Sequence, residues 1–501
     1  MSRKHGNLLS TVTASVAKNT LYLTIASVGQ KALAFVYFIY LARTLGPEQT
    51  GVYFLSLSIS TIFGVVADLG ITPVVVREVA KRPEGAVDLV RRALGTKLPF
   101  LLMGMIGANL SAMALGYDPE IQRLVFLASF VMALDSIHLL YYGVLRGLHT
   151  LKFESLGIFV GMLMTVTFGG AVLIFDPRIG LLITALMIGS AFNVLFSTKQ
   201  VVRQLGVRAI SPEWDWEKTK TLMKIAFPFF LAGVFVKVYS YVDSIFLSKF
   251  IGTEAVGLYS VPYKITYAFQ FLPMAFVAAL YPGFSALVGK DHGRLARMFT
   301  DAMWYMIILA SPIVFGIWAI APDIILLAGE GYTSSGPVLA ALVFVLIPIF
   351  LDFPVGSLLN AADRQATKTA IMGGTMVLNV VFNALLIPVY GIMGAAYAAL
   401  ISFSFLFLGG LYFIPQVIPT YRISRLAMVV TPILISGFVM GLVAVFLRNH
   451  IGFILTIPVA AVVYVAMLLL TRAVRKTHIQ EAFRMFKRSS TPYATPSAHD
   501  D

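Results

Sequence analysis

The chain is a succession of apolar stretches, each close to the length of one bilayer crossing and separated from the next by a short polar turn. A crossing needs about 20 predominantly apolar residues. Fourteen windows approach or exceed that length: 21–42, 53–76, 98–115, 124–145, 153–175, 179–202, 223–247, 258–287, 303–327, 338–359, 370–389, 392–414, 426–447 and 451–470. Inside hydrocarbon every backbone N–H and C=O must find an internal partner, so windows of this length are expected to be α-helices. Only 12% of the residues are charged and 58% are hydrophobic, whereas soluble domains carry roughly 25% charge. A soluble enzyme is excluded, and the expected class is an all-α integral membrane protein with about 14 transmembrane helices.

A net charge of +14 from 38 basic and 24 acidic residues would raise nucleic-acid binding in a soluble protein. Here the positions of the charges give another reading. With a cytoplasmic N-terminus, 30 basic residues fall in inside segments, five (Arg43, Arg123, Arg178, Lys249 and Arg448) fall outside, and Lys31, Lys237 and Lys264 fall within windows. That asymmetry follows the positive-inside rule. It predicts a multi-pass protein of the cytoplasmic membrane with both termini cytoplasmic, attracted to anionic membrane lipids, with no nucleic acid as partner. Cysteine is absent and the seven histidines are scattered, so no disulfide and no metal site is expected. The first 20 residues are basic and polar and lack a short apolar core with a small-residue cleavage site, so no cleaved signal peptide is expected. From Arg472 to Arg488 basic and apolar residues alternate, which suits a stop-transfer flank or an amphipathic surface helix. The composition after Ser489 reads as disordered.

An internal repeat organises the windows. Leu41–Tyr53 (LARTLGPEQTGVY) aligns without a gap with Leu247–Tyr259 (LSKFIGTEAVGLY) at an offset of 206 residues. The offset pairs Arg43 with Lys249, Gly46 with Gly252, Glu48 with Glu254, Gly51 with Gly257 and Tyr53 with Tyr259, and further back Lys31 with Lys237. Six windows fit within it, and an even number of crossings returns the chain to the same side. Two parallel, pseudosymmetric six-helix lobes about an axis along the membrane normal are therefore predicted. The organisation reads as an N-terminal cytoplasmic segment (1–20), an N-lobe (21–202), a cytoplasmic linker (203–222), a C-lobe (223–414), an appended helix pair (426–470) and a basic, then disordered, cytoplasmic tail (472–501).

Charges within windows are the candidate site. Lys31 is 13 residues from Lys18 and 12 from Arg43, about 18 Å of helix from either, too far to snorkel. A central charge on an isolated helix costs about 2.5–3.5 kcal/mol even on the lenient insertion scale. Lys31 and its mate Lys237 are thus expected to face an interior, either as two ammonium groups across a central cavity for an anionic ligand or in ion pairs with a neighbour such as Asp243 or Asp135. Asp135, His138 and Tyr142 share one helical face and read equally as a proton path or a hydrogen-bonded strut. Tyr259, Tyr263, Lys264, Tyr267 and Gln270 share another, which suits a sugar path; packing is the expected role of the tyrosines and a cavity role that of Lys264. Asp68 precedes Leu69-Gly70 and Asp352 precedes Phe353-Pro354, as hinges or ion ligands. Prolines 228, 262, 273, 282, 348 and 354 are expected to break spans around a cavity.

No GxxxxGK[ST] motif occurs, so ATP is not expected to power the chain. No filter-like segment suggests a channel, and the longest external loop, about Asp323 to Pro337, leaves little room for a catalytic domain. The phrases YLARTLGPEQTGVY, NVVFNALLIPVYGIMGAAYAAL and AFPFFLAGVFVKVYSYVDSIFLSKFIGTEAVGLYS resemble the polysaccharide biosynthesis protein family of oligosaccharide-lipid flippases, within the multidrug/oligosaccharidyl-lipid/polysaccharide exporter superfamily. The resemblance extends to about residue 472. It implies a non-enzymatic secondary transporter that moves a polyprenyl-(pyro)phosphate-linked oligosaccharide across the cytoplasmic membrane by alternating access, for surface polysaccharide or glycan assembly. Lys31, Lys237 and Lys264 would then meet phosphate, and Asp135, His138 and Asp243 would be candidates for H+ or Na+ coupling. No catalytic residue and no cofactor is implied, and glycan assembly enzymes are candidate partners. A peptidoglycan-precursor flippase, a cation-coupled multidrug exporter of the same superfamily and a non-transporting scaffold of a glycan assembly complex are the alternatives.

Overall fold

The computed structural model describes residues 2–474, and every regular element among them is helical. In order these are α1 (Ser2–Asp68), α2 (Ile71–Lys81), α3 (Ala86–Ala114), α4 (Pro119–Gly147), α5 (Leu151–Phe175), α6 (Ile179–Leu205), α7 (Trp216–Phe250), α8 (Thr253–Ala268) and α9 (Phe271–Leu287). They continue as α10 (His292–Ile325), α11 (Gly336–Leu342), α12 (Leu346–Ala361), α13 (Gln365–Tyr390), α14 (Ile392–Tyr412), α15 (Ile414–Val417), α16 (Ile423–Ile451) and α17 (Phe453–Leu470). The remainder of the basic tail, read as surface helix or stop-transfer flank and then as disordered, lies outside the described residues.

Among the described residues twelve helices are long and apolar enough to cross a membrane. Two local features separate this count from the fourteen windows. Window 21–42 and residues 53–68 of the next window run together as α1, with Gly46 (φ 75°, ψ 174°) as the non-helical residue between them, and the rest of that window opens α2. Window 258–287 is divided at Phe269 and Gln270 into α8 and α9. α1 begins at Ser2, and the first proline of the chain is Pro47. Of the six prolines expected to break spans, Pro228, Pro262, Pro282 and Pro354 lie inside α7, α8, α9 and α12 without interrupting them, whereas Pro273 and Pro348 closely follow the junctions at which α9 and α12 begin. Pro273 stands in the first turn of α9, where a missing N–H costs no helical hydrogen bond.

The repeat lies where the lobes touch. A Cβ on Gly51 would fall 1.8 Å from the Thr253 carbonyl oxygen, and one on Gly257 would fall 1.8 Å from that of Pro47. The second half of α1 and the start of α8 therefore cross backbone against backbone, which only glycine permits. The appended pair docks on α10: Ser311 Oγ donates to the Ile433 carbonyl at 3.0 Å and the Tyr464 hydroxyl to that of Ile308 at 3.0 Å. One apolar cluster runs through the C-lobe and this pair, from Phe299 and Met303 to Phe350, Phe403 and Tyr464. That cluster reaches into the N-lobe at Phe38, Phe54 and Tyr117, and the rest of the N-lobe holds separate clusters, about Val75 and Leu140, about Leu41 and Leu182, and about Leu101 and Met132. Between them it is hollow.

Candidate functional site

A cavity of about 690 Å³ occupies that hollow, walled by α1, α4, α5, α6 and α7 and reached by Lys264 of α8. Small residues make the room: Gly64, Gly161, Gly189 and Gly233 all face it. Two ammonium groups line it, Lys237 and Lys264. Lys237 Nζ stands 5.5 Å from the centroid of the Tyr241 ring, and Lys264 Nζ stands 5.4 and 5.5 Å from those of Phe38 and Phe54. Ring faces attract a cation without neutralising it. Among the described residues neither lysine has a carboxylate oxygen within 4 Å.

The opposite wall is a polar strip. Asp135 Oδ1 accepts from Ser190 Oγ at 2.6 Å and lies 3.7 Å from His138 Nε2. The His138 and Tyr142 rings are 5.4 Å apart, and the Tyr142 hydroxyl donates to Asn193 Oδ1 at 2.7 Å. The sequence-predicted face is thus continuous, with Tyr142 buried behind the lining. Asp135 in the N-lobe and Lys237 in the C-lobe stand close enough to attract one another. Asp68 also lines the cavity, but its charge is engaged: Lys97 Nζ lies 2.6 Å from Asp68 Oδ1, and Thr72 Oγ1 donates to the same oxygen at 2.5 Å. Directly beyond it Leu69 (φ 48°) and Gly70 (φ 67°) turn the chain, at a point where a Cβ on Gly70 would fall 2.5 Å from the Phe230 amide nitrogen of α7.

Several expectations need correction. Lys31 is not in the lining and does not pair with Lys237 across the cavity; Gln30, Ala34, Tyr37 and Phe38 form the cavity face of α1. Lys31 falls at the edge of that face, where its charge repels Lys264. Asp243 is buried away from both cavity lysines and accepts from the Ser244 amide at 2.8 Å. Asp352 is no hinge, because α12 runs through it and Pro354 unbroken; its carboxylate pairs with Lys368 Nζ at 2.5 Å. Tyr259, Tyr263 and Tyr267 pack as successive rings, with centroids 6.1 and 4.4 Å apart, and Gln270 stands at the break before α9; none of the four lines the cavity. Sequence reasoning missed Ser190 and Asn193. Their spacing of three residues within one apolar window was the available signal, since it puts both polar groups on one helical face.

The polysaccharide biosynthesis protein family matches residues 16–288, more than half of the chain. The chain belongs to that family. The MatE family matches residues 228–385. A probable flippase of Haloferax volcanii, AglR, is 32% identical over 33% of this chain; the match spans about a third of that relative, 35%. A probable low-salt glycan biosynthesis flippase of the same organism is 22% identical over 78% of this chain and 81% of its own length. Among solved structures, the lipid II flippase MurJ in an inward closed conformation superposes with a TM-score of 0.72 at 16% identity, covering 90% of this chain and 99% of that one. An inward-facing multidrug resistance MATE family transporter superposes with 0.65 at 16% identity, covering 78% and 96%. The fold of this family member is that of the multidrug/oligosaccharidyl-lipid/polysaccharide exporter superfamily.

Proposed function

We propose that this protein is a flippase that carries a polyprenyl-(pyro)phosphate-linked oligosaccharide across the cytoplasmic membrane by alternating access, with Lys237 and Lys264 receiving the phosphate. The observation that carries this reading is a contrast among lysines. Lys97 and Lys368 are each neutralised by a carboxylate, whereas Lys237 and Lys264 line the cavity with ring faces as neighbours. A phosphate oxygen would supply the charge-assisted acceptor they lack, and the polyprenyl chain would remain in the bilayer. The name of one Haloferax relative, a probable low-salt glycan biosynthesis flippase, supports a glycan as the cargo. Asp135 and His138 offer a proton or sodium site on the facing wall, which would couple transport by attracting Lys237 in one state and releasing it in the other. A cationic drug would meet two like charges here, a poor match for an exporter of such compounds.

Leaflet exchange of a fluorescent polyprenyl-pyrophosphate oligosaccharide in proteoliposomes tests the reading. Each charge-assisted hydrogen bond is worth about 1.5–3 kcal/mol, so Lys237→Ala/Lys264→Ala should slow exchange by roughly a hundredfold or more while thermal stability is kept. Normal exchange by the folded double variant would sink the assignment. Exchange by neither protein, together with intact glycan assembly in cells, would favour a scaffold.

A further inference from the structure

The lobes also meet at the end of the molecule that the charge distribution places outside, and the contacts there come in pairs related by the repeat. At the centre is the Gly51–Gly257 crossing, in which each glycine abuts a carbonyl of the opposite lobe. On one side the Tyr332 hydroxyl, from the turn Glu330–Ser335 of the C-lobe, lies 3.2 Å from the Ala42 carbonyl and 2.9 Å from Thr50 Oγ1. On the other side the Tyr117 hydroxyl, from the turn after α3 in the N-lobe, lies 2.6 Å from Ser248 Oγ. Ala42 and Ser248 are 206 residues apart, so each lobe sends one tyrosine to the same repeat position of the other. The repeat cations follow suit. Lys249 Nζ donates to the Leu115 carbonyl and lies 3.7 Å from the Tyr117 ring centroid, while the Arg43 side chain passes 3.8 Å from where a Cβ on Gly329 would stand. Both tyrosines are buried, at 1% and 7% exposure for Tyr332 and Tyr117. Burial pushes the Tyr117 phenol above its ordinary pKa, so it remains a donor at neutral pH.

We propose that this pseudosymmetric set is the outer gate of the transporter: two tyrosine hydroxyls latched over a glycine crossing, closed in this structure and required to part before cargo leaves on that face. The proposal rests on the transport reading above. Two hydrogen-bonded hydroxyls and a backbone crossing hold the lobes in register, with no buried ion pair across the seam among the described residues, a contact that shuts firmly and still separates. The halves are unequal. Tyr332 reaches two acceptors and Tyr117 one, so the C-lobe tyrosine should carry more of the closure. Glycine is needed at both crossing positions because a methyl group would overlap a facing carbonyl, and relief comes only from moving the lobes apart.

The chain has no cysteine, so Thr61→Cys, at a lining position of α1, supplies a single reporter thiol in the full-length protein. A membrane-impermeant maleimide applied to the outer face should label it slowly. Labelling should accelerate about tenfold when Gly51→Ala is added, and severalfold with Tyr117→Phe/Tyr332→Phe, as the open population grows. Of the single variants, Tyr332→Phe should act more strongly than Tyr117→Phe. Unchanged outer labelling in folded Gly51→Ala and double phenylalanine variants would overturn the gate, as would acceleration confined to the inner face. Should Gly51→Ala fail to fold, the phenylalanine variants decide alone, since they delete only two oxygen atoms. The two readings fail separately: a labelling response without lipid exchange by wild type sinks the substrate and keeps the gate, and exchange without any labelling response does the reverse.

Discussion

Two pairs of lysines embedded among the helices differ in what they touch, and the difference divides charges that are already paired from charges that are not. Lys97 and Lys368 each meet a carboxylate, at 2.6 and 2.5 Å. Lys237 and Lys264 meet aromatic faces inside a cavity. Lys97 is the most deeply buried of the four, at 1% exposure, yet it has nothing to offer a ligand. Depth inside the protein therefore does not by itself leave a lysine available to a ligand; the lack of a neutralising carboxylate does.

The strongest way to break this division is to remove a paired lysine. Taking one partner from a buried ion pair typically costs about 3–5 kcal/mol, because the other charge is left uncompensated. Lys97→Ala should destabilise the protein by about that amount, stranding Asp68 and Thr72, and thermal unfolding in detergent measures it. Lys97→Met with Asp68→Leu should recover most of the loss, since a well-packed apolar replacement of both partners is often neutral. If the double variant is no more stable than the single one, the pair does more than neutralise itself.

Next in size is the strut behind the cavity wall. Tyr142→Phe removes the donor to Asn193 Oδ1 and leaves a buried acceptor short of a partner, at about 1–3 kcal/mol. Gly157 lies against the Tyr142 hydroxyl, so no bulkier repair is available there. A loss of stability with leaflet exchange intact would identify the strip as a strut at this end, whereas exchange lost at unchanged stability would make Tyr142 part of a proton path.

The unpaired lysines should behave oppositely. Lys237→Ala and Lys264→Ala each forfeit a cation–π contact of about 0.5–2 kcal/mol but strand no ion-pair partner, so stability should move by less than about 1 kcal/mol while transport falls. Destabilisation as large as that of Lys97→Ala would erase the distinction on which the proposed site rests.

How much of this was legible in the sequence follows from what each signal encodes. The repeat encodes lobe contact: the glycine pairs read from the 206-residue offset became the backbone crossing and the positive-φ turns at Gly46 and Gly252. Hydropathy encodes span position but not partners. It placed Lys97 one residue before a window at 98–115, hence in a cytoplasmic segment, although α3 begins at Ala86 and carries that residue into the interior. The acids at positions 68 and 352 were visible and were read as hinges or ion ligands; that each pairs with a lysine depends on how α1 meets α3 and how α12 meets α13. Lys31 fails for a related reason. Repeat symmetry fixes its depth, while the rotation of α1 about its axis, which decides what faces the cavity, is set by packing.

The smallest expected effect isolates environment from geometry. Arg77 Nε lies 2.8 Å from Glu78 Oε1, nearly the separation of the Lys97 pair, but the side chains are 45% and 33% exposed. Slight desolvation pushes the Glu78 carboxyl upward, and Arg77 and Lys81 more than offset it, holding its pKa below the ordinary value. A depressed carboxylate pKa stabilises the fold above the unfolded-state value, near 4.3, and the contribution is lost as pH falls through the folded-state value. Solvent screening limits such pairs to about 0–1 kcal/mol, so Glu78→Gln should cost less than about 0.5 kcal/mol at pH 7. The gap between variant and wild type should close as the pH drops below the ordinary carboxylate range. Similar bond lengths with so unequal a cost would show that the low-dielectric surroundings of Lys97, and not the shortness of its contact, make that pair indispensable.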